Sequence, residues 1–460
     1  MADSKPFWLT GNLAPTSVEN TVTELEVIGA IPPELNGRFF RNGPNPPKGV
    51  SAHWFLGHGM IHGIELQGGR ANWYRNRYVR TPLLQREDAP RIGPDGSIDR
   101  RVSLANTHVI SHAGKILALE EASFPWIVSE DLETIAAHDF GGKLTTGMTA
   151  HPRICPVTGE LLFFGYDAVP PYLTYHRVSA DGTLVQSEAV SVKAPTMMHD
   201  WNVTRNYVVF MDLPLIFDLS LLTEQSIQEG TPPIRWSEEY GARLGVMPRN
   251  GTGSDVRWYD IDPCYVFHPM NAYEDGGRIV LDVARFPSIV LDEAHFPKTG
   301  FGPGEPGVEP AVLYRWTIDP AAGKVTGQPL DDRPAEFPRV ADAKVGLPYR
   351  YGYMMATTGG SVENFGQELY KYDLRQGSSL TYRLPPGQTA GEPVMAATGP
   401  EEDAGYLLTF VYDRTRNKSD LTIIDASEFQ KGPIARIRLP CRVPDGFHGS
   451  WIPDQPGAAP

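Results

Sequence analysis

The chain has 460 residues, 41% of them hydrophobic, and a formal net charge of −14 at pH 7, which excludes the basic footprint of a nucleic-acid binder and a polybasic membrane anchor. Three cysteines make no disulfide framework, and no run approaches the roughly 18 apolar residues of a spanning helix. The start, Met1 to Trp8, lacks the basic and apolar regions of a signal peptide, so the expectation is a cytoplasmic, reduced protein.

In chain order, the first clear strand signal is Lys115 to Leu119, followed by the short apolar run Leu161 to Tyr166. Tyr172 to Val178 and Thr183 to Val190 flank Asp181-Gly182, the signature of a tight hairpin. Tyr207 to Met211 follows. Ile216 to Gln228 reads as a short helix or an extended loop. Cys264 to Tyr273 and Arg278 to Val283 flank Glu-Asp-Gly-Gly, a second hairpin. The series continues with Val312 to Ile318, Tyr351 to Ala356, Glu368 to Asp373, Leu380 to Leu384, Tyr406 to Tyr412 and Leu421 to Ile424. With 46 glycines and 42 prolines as punctuation, strand pairs recur every 40 to 60 residues. This rhythm predicts an all-β chain, a propeller with blades of about four strands. No Ser/Gly-rich linker divides it, so residues 1–460 are expected to form one domain.

Four histidines sit in similar places: His151 in Thr-Ala-His-Pro, His199 in Met-Met-His-Asp, His268 in Val-Phe-His-Pro and His448 in Gly-Phe-His-Gly. Each closes or follows a strand-like run. Their wide separation rules out a local metal motif; strand ends so far apart in sequence meet only on a central axis. A neutral all-nitrogen set suits Fe(II), Zn(II) or Cu(II). Cys155 and Cys264 each lie four residues from one of these histidines, but they read better as buried, reduced thiols than as ligands. Metal-bound imidazoles usually give their second N–H to a carboxylate or carbonyl. Glu121, Glu336 and Glu392 are carboxylates in apolar settings that fit this need.

The chain resembles the carotenoid cleavage oxygenase family. The matching segments include Phe39 to Pro46, Gly59 to Gly63, Ala105 to His108, Met148 to Pro152, Met198 to Asp200, Phe267 to Pro269, Glu336 to Arg339, Gly391 to Val394 and Phe447 to Gly449. The resemblance implies a seven-bladed propeller, with loops and short helices capping a non-haem Fe(II) (Fe2+) on its axis. It implies that His151, His199, His268 and His448 are the ligands. It further implies that Glu121, Glu336 and Glu392 orient His199, His268 and His448 in that order. The implied reaction is cleavage of a conjugated carbon–carbon double bond by O2 into two carbonyl products. One position departs from the family pattern: His58 stands where an Asp usually precedes Gly-Met. His62 and His108 match family positions but read as structural. His53, His112, His138, His176 and His295 read as surface or loop residues.

The implied partners are O2 and a lipophilic small molecule, with a transient contact at a membrane surface. Relatives include apocarotenoid cleavers, stilbene or phenylpropenoid cleavers (lignostilbene, resveratrol and isoeugenol types) and a retinoid isomerase branch. In the hydroxystilbene branch a Lys directly precedes the first of the three glutamates; here it is Glu120. A carboxylate repels a phenolate, so the expectation favours an apocarotenoid. The apolar stretch from Asp212 to Leu222 reads first as core or tunnel wall, and second as an entry lip at a membrane. The competing classes are a metal-free propeller serving as an interaction module, and an isomerase that takes up no O2.

Overall fold

Strands dominate the computed structural model, which describes residues 5–221, 223, 233–289, 309–357 and 365–454. They form six large antiparallel sheets and a two-stranded one, Leu215–Phe217 with Ile234–Trp236. The seven-stranded sheet is two groups joined by one long strand, Lys324–Arg339. Its early part pairs back to Val312–Asp319, and from Ala335 onward it pairs forward to Tyr351–Ala356. The result is seven successive groups, the blades of a β-propeller.

Blade 1 holds Gly37–Pro44, Gly59–Gln67 and Arg70–Tyr78; blade 2 starts at His108–His112, blade 3 at Arg153–Ile154 and blade 4 at Asn202–Val203. Blade 5 starts at Tyr265–Asp275, blade 6 at the end of Lys324–Arg339, and blade 7 runs from Gln388–Ala390 to Pro433–Arg438. Both ends of the chain close the ring. Gly449–Pro453 pairs with Gly37–Pro44, setting Trp451 opposite Phe39, and Val27–Gly29 pairs with Pro433–Arg438. Each tail thus satisfies backbone groups that an open sheet edge would leave bare.

The sequence signals place several strands to the residue. Lys115–Leu119, Leu161–Tyr166, Tyr351–Ala356 and Glu368–Asp373 form as expected. The second hairpin turns at Gly276 and Gly277, with φ of 57° and 82°, the left-handed pair that matches strand twist. Gly37–Pro44, Arg70–Tyr78 and Arg257–Ile261 carry no clear signal, because Arg, Asn and Gly in the first two, and Arg and Asp in the third, interrupt the apolar pattern. The segment expected as a helix or loop from Ile216 is strand to Phe217 and a 3₁₀ turn at Leu219–Leu221; most of the remainder lies outside the described residues. Leu213, Leu215 and Ile216 are buried, as a core or tunnel wall requires. His53 lies in a loop as read, but buried beside Phe55, whereas His112 and His176 are buried strand residues, against the Gly159 carbonyl and Ser187 respectively. Sequence pattern missed them because a satisfied histidine looks apolar only in three dimensions. His138 is half-buried, and His295 lies outside the described residues.

Apolar clusters fill the seams between blades. The seam that closes the ring packs Phe39, Ile64 and Tyr74 of blade 1 against Leu408, Phe410 and Leu421 of blade 7. The rings of Phe39 and Phe410 lie 5.2 Å apart. Phe39→Ala should therefore destabilise the protein by about 3–5 kcal/mol, read as a lowered urea midpoint with an unchanged slope.

Candidate metal centre

The inner ends of the blades converge on a group of histidines. His151 lies two residues before the first strand of blade 3, and His199 three before that of blade 4; His268 lies in the first strand of blade 5, and His448 directly precedes Gly449–Pro453, the closing strand of blade 1. His151, His199 and His268 bring one nitrogen each within 4.8 Å of one another. The Nε2 atoms of His151 and His199 are 3.0 Å apart, and those of His199 and His268 are 3.4 Å apart. His448 stands beside them, its ring 4.7 Å from the rings of both His151 and His268.

The remaining three blades supply carboxylates. Glu121 follows Lys115–Leu119 of blade 2 and sits against His199 Nδ1. Glu336 of blade 6 accepts from His268 Nδ1 at 2.7 Å, and Glu392 of blade 7 accepts from His448 Nδ1 at 2.9 Å. Each carboxylate is itself held. Tyr166 donates to Glu121; the Phe337 N–H donates to Glu336 at 2.6 Å; and the Gly449 N–H donates to Glu392 at 2.9 Å, with Arg339 3.4 Å away. His151 has a looser partner that the sequence reading passed over. Asp200, the neighbour of His199, lies 3.4 Å from His151 Nδ1 and is anchored by Arg153 at 2.7 Å. Its signals in the sequence were its position directly after a candidate histidine and its place in the matching segment Met198 to Asp200.

These contacts fix the chemistry of the free nitrogens. With Nδ1–H donated to a carboxylate, each Nε2 carries a lone pair aimed at the others. Burial keeps His268 neutral, with its pKa down to about 3, and holds His151 and His448 well below the usual range. Burial also opposes charge on His199, but Glu121 outweighs it and raises the pKa. Glu336 is pushed up to about 8 by burial, and its Oε1 is buried without a hydrogen-bond partner. Converging lone pairs next to buried carboxylates repel one another unless a cation lies between them. The donor set therefore fits a divalent metal, and neutral imidazoles suit iron among the options. Cys155 and Cys264 are buried free thiols outside this group, and Cys441 is half-buried. His108, buried beside His448 at 5.3 Å, is tied to the Ala150 carbonyl at 3.0 Å.

Phe337 explains how Glu336 reaches its histidine. Its φ of 53° is left-handed, a conformation a phenylalanine adopts at a cost of about 1–3 kcal/mol. The turn aims Glu336 at His268 and lays the Phe337 ring over the same imidazole, 5.0 Å away.

Comparison with known proteins gives this site its setting. The family model described as retinal pigment epithelial membrane protein matches residues 13–453. A carotenoid cleavage oxygenase of Mycobacterium tuberculosis is 37% identical over 98% of both chains. The chain belongs to the carotenoid cleavage oxygenase family. A carotenoid 9,10(9',10')-cleavage dioxygenase of Arabidopsis thaliana is 33% identical, covering 97% of this chain and 90% of that protein. The crystal structure of a Pseudomonas brassicacearum lignostilbene dioxygenase superposes with a TM-score of 0.85 at 30% identity, covering 97% of this chain and 98% of that one. As a member of this family, the chain is a non-haem iron dioxygenase that cleaves a carbon–carbon double bond. That membership replaces the metal-free interaction module as a reading.

The cluster also bears on stability. Removing Glu392 would leave His448, the Gly449 N–H and the half-buried Arg339 without their shared acceptor. Glu392→Ala should cost about 3–5 kcal/mol, as breaking a buried pair does, whereas Glu392→Gln keeps an acceptor and costs less. Thermal unfolding of the metal-free variants, compared side by side, measures the difference.

Proposed function

We propose that His151, His199, His268 and His448 together hold one Fe(II), with Glu121, Glu336 and Glu392 orienting His199, His268 and His448, and that the enzyme cleaves one conjugated double bond of an apocarotenoid. The observation that carries this reading is an apolar cavity of about 210 Å³ ending on His199, His268 and His448. Trp54, Phe55, Tyr166, Phe337, Phe365 and Phe447 supply its aromatic wall. Iron bound there supplies the one-electron chemistry that lets O2 react with a closed-shell alkene. The protein's own contribution is positional. The aromatic wall holds a flat polyene against the histidines and excludes water, while the carboxylates fix each imidazole's tautomer and aim. The atoms balance without a further reductant, since one alkene and one O2 give two carbonyls. We read residues 1–460 as one domain, a reading supported by the weaving of both chain ends into the ring.

Glu120 supports the choice of substrate. It lines the same cavity, and its Oε2 accepts from Ser103 Oγ, the Leu104 N–H and Ser123 Oγ at 2.6, 2.7 and 3.1 Å. Arg91 is 3.6 Å from its other oxygen. A carboxylate held so firmly accepts a hydrogen bond from an alcohol and repels a phenolate, which favours a lipophilic apocarotenoid with a neutral polar end. The reading extends to a cytoplasmic enzyme in transient contact with a membrane surface. Leu56, 41% exposed at the cavity wall, and Leu219, 50% exposed, support that contact. No helix among the described residues is long and apolar enough to cross a membrane. A second reading, cleavage of a hydroxystilbene or phenylpropenoid, draws on the structural likeness to the lignostilbene dioxygenase.

His268→Ala should lose activity and most of the bound iron; stoichiometric iron and full activity would remove His268 from the ligand set. Glu121→Gln, Glu336→Gln and Glu392→Gln should each lower iron affinity or turnover by about 10–100-fold, measured by metal analysis and O2 uptake. For the substrate, iron-loaded enzyme is offered an apocarotenal, resveratrol and isoeugenol at equal concentration under ¹⁸O2, with products identified by mass. The apocarotenal should be cleaved fastest, with label in both carbonyls; faster cleavage of either phenol selects the second reading.

A further inference from the structure

Two cavities reach the histidines, and they differ in character. The substrate cavity ends on His199, His268 and His448, whereas a second cavity of about 440 Å³ ends on His151, His268 and His448. Every blade contributes to the wall of the second, from Ser111 of blade 2 through Asn271 of blade 5 to Ser450 of blade 1, so it follows the propeller axis. Its inner end is sealed by histidines with only 4–6% of their surface exposed. Its outer end lies among exposed Pro156, Ala343 and Pro453. Asp342, also in its wall, has 71% of its side chain accessible. The cavity therefore links the surface to the histidines along a wall that carries Asp342, Arg339, Arg153 and Asp200.

We propose that this axial cavity is the route by which the metal ion enters, with Asp342 at its mouth as the first group to draw the cation in. The proposal rests on the iron reading above. A hydrated dication cannot shed its water against Trp54, Phe55 and Phe365 without a large desolvation penalty. The axial wall instead offers three carboxylates, Asp342, Asp200 and Glu392, against two guanidinium groups, Arg153 and Arg339, and so carries one net negative charge. Arg153 is bound to Asp200 at 2.7 Å, and Arg339 lies 3.4 Å from Glu392. Asp342 is 3.8 Å from Arg339 and is the most exposed of these five charged side chains. A cation meeting this charge first is captured faster, because a charged cleft with low-dielectric walls focuses the field. A gate of this kind changes the rates of entry and exit together and leaves the affinity alone.

The test uses metal-stripped full-length protein mixed anaerobically with Co(II), a dication that prefers nitrogen ligands and resists oxidation, followed by its visible absorption in a stopped-flow instrument. Asp342→Lys should slow uptake by about tenfold or more, slow release into excess chelator equally, and leave the dissociation constant and the one-per-chain stoichiometry unchanged. Asp342→Asn, which keeps the shape of the side chain, should slow both rates by a smaller factor and weaken the dependence of uptake on ionic strength. Leu56→Lys, in the wall of the apolar cavity, should leave uptake unchanged. Wild-type rates in both Asp342 variants, or uptake slowed by Leu56→Lys instead, would overturn the route. Failure of the wild-type protein to bind any Co(II) would overturn the iron reading itself and the route with it.

Discussion

A buried imidazole offers a lone pair to a metal only while its other nitrogen stays protonated and points elsewhere. In this protein that condition is met by carboxylates aimed at Nδ1, at 2.7 Å for His268 and 2.9 Å for His448. Those carboxylates are themselves costly to bury without compensating charge. The centre is thus a balance of two unfavourable burials that a bound dication would relieve at once. Much of the surrounding architecture holds this balance in place: the Tyr166 hydroxyl on Glu121, the Arg153 guanidinium on Asp200, and the strained backbone of Phe337 behind Glu336.

A propeller is suited to this task because it delivers one strand end per blade to a single axis. Here the blades divide the labour without repetition. Blades 1, 3, 4 and 5 bring His448, His151, His199 and His268, and blades 2, 6 and 7 bring Glu121, Glu336 and Glu392. The same geometry separates the two faces of the centre. Loops on one side close an aromatic chamber, and the inner strands on the other leave a well whose wall carries charged side chains.

Much of the fold was legible because β-strands announce themselves by alternation and by the glycines that turn them. Leu161–Tyr166 and Glu368–Asp373 needed no tertiary information. Gly37–Pro44 did, because its Arg41 and Asn42 are polar yet buried. Asn42 donates to the carbonyls of Ala105 and His108 at the junction with blade 2, and Arg41 donates to that of Pro444, a contact that the closed ring creates. The histidines and glutamates were conspicuous as polar residues in apolar settings. Asp200 and Phe337 were not: one acts through a neighbour in space, and the other through a backbone angle that no composition records.

The closing strand carries a consequence for the order in which the molecule is made. Synthesis proceeds from the N-terminus, and domains begin to fold as they emerge. His151, His199 and His268 leave the ribosome long before His448, which directly precedes Gly449–Pro453, the strand that pairs with Gly37–Pro44 and joins the two ends of the ring. A nascent chain can therefore gather three of the histidines and still lack the fourth, so the complete constellation exists only once the closing strand has been made. A ribosome that stops before His448 would release a chain with neither that imidazole nor the clasp.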